Sequence, residues 1–159
     1  MGVITVAYSI TANMLRKIRN DNENLAYIKE PEDENSRWKV EELDFDSGIE
    51  PTISILREVG CPKTAKNLNC EYADLDLFDY NGYDIWTVSP SQVAAMLKEL
   101  EKVNVKELIA KGNVNEVTDR RGAVLQESLY ESYVSDLVSI KKFIKQTVEE
   151  GNYLLFTEA

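Results

Sequence analysis

Hydrophobic and polar positions along this chain follow two different periods, and the clearest change of period falls between Tyr83 and Val103. Tyr83-Asp84-Ile85-Trp86-Thr87-Val88 is β-branched and aromatic and predicts a strand. Ser89 then predicts an N-cap, Pro90 fits the first helical position, and Gln92 completes a capping box that ties down backbone donors left free at a helix start. Val88 and Val93, either side of the cap, predict a hydrophobic staple. Val93, Met96, Leu97, Leu100 and Val103 share one face of the helix that follows.

The same two periods organise the rest. Val3 to Ser9 predicts a first strand, and Thr11 caps a short helix with Met14, Leu15 and Ile18 on one face. Tyr8-Ser9-Ile10-Thr11 matches Trp86-Thr87-Val88-Ser89 in aromatic, hydroxyl, aliphatic and cap, so the two strand-to-helix units are alike in form. Asp21 to Ser36 is polar, contains Pro31 and reads as a mobile excursion. Ser36 is placed to cap a short helix carrying Trp38. Ile49 to Val59 has helical spacing, with Pro51 early and Gly60 at the stop. Cys61 to Asn81 reads as irregular and ends in an Asn81-Gly82 turn. Asn104 to Glu107 forms a second capping box, and Gly112 ends its helix. A long helix is predicted from about Glu127 to Glu150, with Tyr130, Tyr133, Val134, Leu137, Ile140, Ile144 and Val148 as its stripe. Gly151-Asn152 stops it before a terminal strand, Tyr153 to Thr157.

Strands at the start, middle and end with helices between predict an α+β fold. It is expected to be a small sheet of N-terminal, central and C-terminal strands, covered mainly on one side by several helices including the long C-terminal one. At 159 residues, 1–159 is expected to be a single domain with a conventional core.

Composition narrows the function classes. There is no histidine, which excludes Ser-His and Cys-His mechanisms and zinc sites that use histidine. No apolar run approaches the roughly 18 residues of a membrane span, and the start lacks a basic leader. A cytoplasmic protein that does not engage membranes is expected, with Cys61 and Cys70 reduced. Met1-Gly2 resembles a lipidation signal, but the run behind it reads as a strand. Net charge is −10. Residues 30 to 50 hold nine acids, among them Glu32, Asp33, Glu34 and Glu42, against Arg37 and Lys39. A nucleic acid partner needs a basic footprint that this chain lacks. A basic protein surface is the partner that such charge would steer, although a solvated acidic loop also accounts for it.

The opening Met1-Gly2-Val3-Ile4, Arg37-Trp38, Gly82-Tyr83 leading into Val88-Ser89-Pro90-Ser91-Gln92-Val93, and the closing Glu150-Gly151-Asn152-Tyr153 together resemble the YfbM-like bacterial domain of unknown function. Their order and spacing carry the resemblance across nearly the whole chain. It implies an α+β single domain and no established activity. In that family the tryptophan is commonly followed one residue on by an acid and four on by a histidine. Here those places hold Lys39 and Glu42.

Candidate chemistry is sparse. Asp74, Asp76, Asp79 and Asp84 form the densest carboxylate group, but the calcium-loop template fails on glycine and glutamate spacing. Asp44-Asp46-Gly48 fails it similarly. Arg120-Arg121-Gly122 suits an anion or a solvated turn, and no phosphate-cradling glycine spacing is present. No cofactor or metal is expected. Trp38, Trp86, Tyr83, Tyr130 and Tyr133 have the amphipathic character of a pocket or interface, with core packing as the default. The binding candidates are therefore Trp38, Glu42, Tyr83 and Trp86 with the acidic Glu32, Asp33 and Glu34. The leading expectation is a non-enzymatic protein-binding or inhibitor- or immunity-like factor with an acidic surface, a monomer or weak homodimer. A carboxylate-dependent enzyme, with or without a divalent cation, is the alternative.

Overall fold

The structure, a computed structural model, describes residues 5–33, 36–45, 49–68, 76–80, 83–104 and 127–158; of 76–80, 83 and 127–134 it describes the backbone alone. Five strands form one antiparallel sheet: β1 (Thr5–Ile10), β2 (Glu42–Phe45), β3 (Asp76–Tyr80), β4 (Tyr83–Val88) and β5 (Tyr153–Glu158). Their order is β2-β1-β5-β4-β3. The three strands expected from the sequence are the middle three. The first and last meet directly, Tyr8 opposite Leu155, and β4 joins them with Trp86 opposite Phe156.

Six helices accompany the sheet among the described residues: α1 (Ala12–Asn20), α2 (Leu25–Lys29), α3 (Glu50–Glu58), α4 (Pro62–Asn67), α5 (Pro90–Glu101) and α6 (Glu127–Glu150). The predicted capping box of α5 is present in both directions. Ser89 Oγ accepts from Gln92 N, and Gln92 Oε1 accepts from Ser89 N at 2.9 Å. Thr11 caps α1 by accepting from Met14 N at 3.1 Å. Gly151 has φ +67°, which a residue with a Cβ rarely adopts, and so the chain leaves α6 and turns into β5 there.

Helices cover both faces of the sheet. On one face α3 to α6 pack a large core in which Ala7, Trp86, Val88, Leu154 and Phe156 meet Leu56, Met96, Leu100, Leu137, Ile140 and Ile144. The expected α6 stripe is buried at Leu137, Ile140 and Ile144, with Phe143 added. The side chains of Tyr130, Tyr133 and Val134 lie outside the described part. On the other face α1 and α2 pack a smaller core, with Leu15, Ile18, Leu25 and Ile28 against Tyr8, Ile10, Ile85 and Leu155. Cover is mainly on the first face, as expected, and this thinner second layer adds to it.

Corrections elsewhere share a physical pattern. The 21–36 excursion contains a 3₁₀ turn and α2, held because Asp21 accepts from Glu23 N and Asn24 Nδ2 donates to Lys17 O at 2.9 Å. Ser36 begins no helix; its Oγ accepts from Trp38 N in a turn. The stretch read as irregular after Cys61 holds α4 and β3. Cys61 gives α4 no side-chain cap, and Glu99 of α5 supplies one from outside, accepting from Lys63 N at 2.9 Å and Thr64 N at 2.8 Å. The second capping box beyond Asn104, the lipidation signal, Cys70, Asp74, Asp46, Gly48, Asn81-Gly82 and Arg120-Arg121-Gly122 lie outside the described residues.

Candidate functional site

Three chain segments converge at one end of the sheet. Because β1 runs antiparallel to both neighbours, its last residues lie beside the first residues of β2 and of β5. Ser9 N donates to Glu41 O at 3.0 Å on the β2 side, and Ile10 pairs with Tyr153 on the β5 side. Here lies an open cleft of about 800 Å³, which the described residues Pro31, Ser36, Lys39 and Val40 between α2 and β2 help to line.

The cleft floor is a buried polar network. Asn152 Nδ2 donates to Ser9 Oγ at 3.2 Å and to Glu150 Oε2 at 3.0 Å. Ser9 Oγ and Thr147 Oγ1 stand 3.1 Å apart, and Thr147 Oγ1 donates to Phe143 O at 2.9 Å. With the Thr147 hydrogen on that carbonyl, the Ser9 hydroxyl donates to Thr147, so both hydroxyl hydrogens are placed. The apolar Met14, Ile28 and Val40, the acids Glu41, Glu42 and Glu150, and the cations Lys29 and Lys39 also line the cleft.

A second hollow, of about 470 Å³, shares Ser36 with the first and is lined by Tyr27, Glu32, Arg37 and Trp38. Here the Tyr27 and Trp38 rings stack at 5.9 Å, and Lys17 Nζ lies 5.8 Å from the centre of the Trp38 ring. Tyr27 is 44% exposed, while Trp38 is half-buried against the smaller core.

The residues proposed from the sequence divide between this region and elsewhere. Trp38 and Glu32 line the second hollow, Glu42 lies on the cleft rim, and Asp33 is exposed nearby in sequence. Glu34 lies outside the described residues, as does the side chain of Tyr83. Trp86 is a core residue on the opposite face: it is 1% exposed, stacks on Phe156 at 5.1 Å and donates from Nε1 to Asn67 O at 3.0 Å. It is thereby removed from any binding surface. Asp84 is exposed, and the side chains of Asp76 and Asp79 are not described. Among the described residues no three acids or cysteines gather as metal ligands.

Sequence reasoning missed Ser9, Asn152, Glu150 and Tyr27. Asn152 had carried a helix-stop signal and a place in the closing family motif but no site role, and Tyr27 follows no period linking it to Trp38. Burial displaces several titrating groups, none of which lines either hollow. The Tyr8 phenol is pushed up to about 12, by burial first and then by the negative charge of Glu42, with Asp44 adding to it and the Thr157 hydroxyl opposing. Burial, then the charge of Glu99, pushes the Cys61 thiol up to about 11, against an opposing effect of Lys102.

The profile of a family described as a domain of unknown function, DUF1877, matches residues 1–157. The crystal structure of YfbM from Escherichia coli, a protein of unknown function, is similar over 98% of this chain and 99% of that one, with 14% sequence identity and a TM-score of 0.59. At that identity the likeness establishes the fold. No curated protein matches the chain. None of the described helices is long and apolar enough to cross a membrane.

Proposed function

We propose, for a chain that belongs to the DUF1877 family of domains of unknown function, that it is a non-enzymatic binding protein for a basic protein surface. The carrying observation is the Tyr27–Trp38 stack, part-exposed, in a hollow also lined by the exposed acid Glu32. Aromatic rings anchor an interface through buried area at small entropy cost, while acids around them steer a cationic partner and set its orientation. The chain's net charge of −10 acts in the same direction at longer range. The alternative is a carboxylate-dependent enzyme, with or without a divalent cation; the part-exposed aromatic stack favours the binding reading over it.

Pull-down at low and high salt, followed by association kinetics with the captured protein, tests the proposal. Glu32→Gln with Asp33→Asn is expected to slow association at low salt and to matter little at high salt, where the charges are screened. Trp38→Ala is expected to speed dissociation under both conditions. Unchanged kinetics in both variants would remove this surface from consideration.

A further inference from the structure

The aromatic pair at the second hollow is supplied with a cation by its own chain. Lys17 Nζ lies over the Trp38 ring, 5.8 Å from its centre, within the range at which the face of an indole attracts an ammonium. The Lys17 carbonyl accepts from Asp21 N at 3.1 Å and from Asn24 Nδ2 at 2.9 Å, which ties α1 to the turn leading into α2. The lysine is therefore anchored beside the pair at its backbone as well as through its ammonium.

Trp38 is thus stacked on Tyr27, capped by a cation and half-buried against the smaller core. Tyr27 is more open. One face of its ring meets Trp38, yet the residue is 44% exposed and lines the hollow. It is one of two large apolar side chains left so exposed among the described residues; the other, Val138, lies on α6. α2 buries its Leu25 and Ile28 and leaves Tyr27 outside, so the ring is held in place by a helix whose packing does not use it.

Whatever enters the hollow has to suit an open ring with a cation already at its neighbour. A lysine or arginine brought to the pair would meet Lys17 and Arg37, against Glu32 as the acid among the described lining residues. A neutral ring meets no such opposition and gains a stacking partner in Tyr27. The hollow of about 470 Å³ has room for one such side chain.

Building on the basic-partner reading, we propose that the hollow receives an aromatic side chain of that partner, a tyrosine or phenylalanine, as the third ring of a stack with Tyr27 and Trp38. The partner's cations stay outside it. Charge steers the approach, and a neutral ring anchors the contact.

The chain's two tryptophans give two indole ¹H–¹⁵N signals, which Trp38→Phe assigns. N-acetyl-L-tyrosinamide, N-acetyl-L-phenylalaninamide, N-acetyl-L-argininamide and the carboxylate N-acetyl-L-tyrosine are titrated in turn onto the whole chain. The expected result is a saturable shift of the Trp38 signal with the two aromatic amides, while the Trp86 signal, whose N–H is bonded to Asn67 O in the large core, stays fixed. Argininamide is expected to bind about tenfold more weakly, and Tyr27→Ala to weaken both aromatic amides about tenfold. An unmoved Trp86 signal in that variant shows that the fold is retained. Argininamide bound as tightly as tyrosinamide would overturn the ring in favour of a partner's cation on Tyr27. N-acetyl-L-tyrosine bound about tenfold more tightly than its amide would overturn it in favour of an aromatic anion. No saturable shift, or a shift unchanged in Tyr27→Ala, would overturn the site. The aromatic amides are uncharged, so their binding is expected to be insensitive to salt. Failure of the basic-partner reading would appear in the salt dependence of association with the captured protein and leave these titrations unchanged, so the two can fail separately.

Discussion

The two faces of the sheet are built to different standards. The face under α3 to α6 is sealed: Trp86 and Phe156 lie nearly parallel, 4° between their planes, and the one polar atom of the Trp86 ring is bonded to Asn67 O. The face under α1 and α2 is covered by two short helices and a turn. It leaves a cleft, a second hollow and the part-exposed Tyr27–Trp38 stack. A tightly packed face supplies stability and has little room to bind anything. A thinly covered face gives up some burial and keeps groups within reach of a ligand. On the proposed reading, the difference assigns stability to Trp86 and recognition to Trp38.

Exchanging those two tryptophans for alanine is the strongest way to break that assignment. Trp86→Ala opens a cavity in the large core and is expected to cost about 3 to 5 kcal/mol, a sizeable share of a domain's usual 5 to 15. Trp38→Ala removes a half-buried ring from the smaller core and is expected to cost about 1 kcal/mol. Urea denaturation of both variants measures the two costs. Similar midpoints would mean that both faces bear the fold equally.

Alkaline titration compares the faces through two buried acids. Tyr8 lies on the thin face with its pKa raised from 10.0 to about 12, and Cys61 on the sealed face with its pKa raised from 9.0 to about 11. In both, the folded state holds the proton more tightly than the unfolded chain. The Tyr8 contribution is therefore full below pH 10 and is lost as pH rises from 10 to 12, an effect of roughly 2 to 3 kcal/mol. The Cys61 contribution is lost one unit earlier, from pH 9 to 11. Tyr8→Phe is expected to flatten the upper part of the stability curve and Cys61→Ala the lower. A curve that keeps its full slope in both variants would contradict the burial of these groups.

How legible each region was depends on the same contrast. The three middle strands carry apolar residues on both sides, because both faces are covered, and their patterns stand out: Ala7 to Ile10 and Leu154 to Thr157 are buried without interruption. The edge strand β2, Glu42-Leu43-Asp44-Phe45, sets exposed acids between partly and fully buried apolar residues. Charges on an edge discourage pairing with another chain, and here they made a strand look like a solvated loop. β3 was missed for a similar reason, with aspartates at both Asp76 and Asp79. α2 is too short to show a period. α4 takes its cap from Glu99, more than thirty residues away in sequence, where no local rule could place it. The cleft was invisible because Ser9, Glu41 and Asn152 become neighbours only when β1 pairs on both sides. Trp38 and Glu32 were legible as candidates because aromatic and acidic character needs no partner to be seen.

The smallest expected effect gives the sharpest comparison. Thr11 and Ser89 cap α1 and α5 by the same bond, a hydroxyl accepting from the N3 backbone. Each alanine variant is expected to cost about 1 kcal/mol at its own helix. The two losses should nevertheless be felt differently. α5 is bound into the large core through Val93, Met96 and Leu100, and its Glu99 also caps α4, so it cannot loosen alone; Ser89→Ala should lower the global midpoint. α1 buries only Leu15 and Ile18, and it borders the open cleft through Thr11 and Met14. Thr11→Ala should therefore appear as faster amide exchange confined to α1, with a smaller change in the midpoint, since thinly packed elements open locally at free energies below that of global unfolding. Equal midpoint shifts with no local change in α1 exchange would show that the thin layer unfolds together with the sealed one, and the functional division between the two faces would lose its energetic basis.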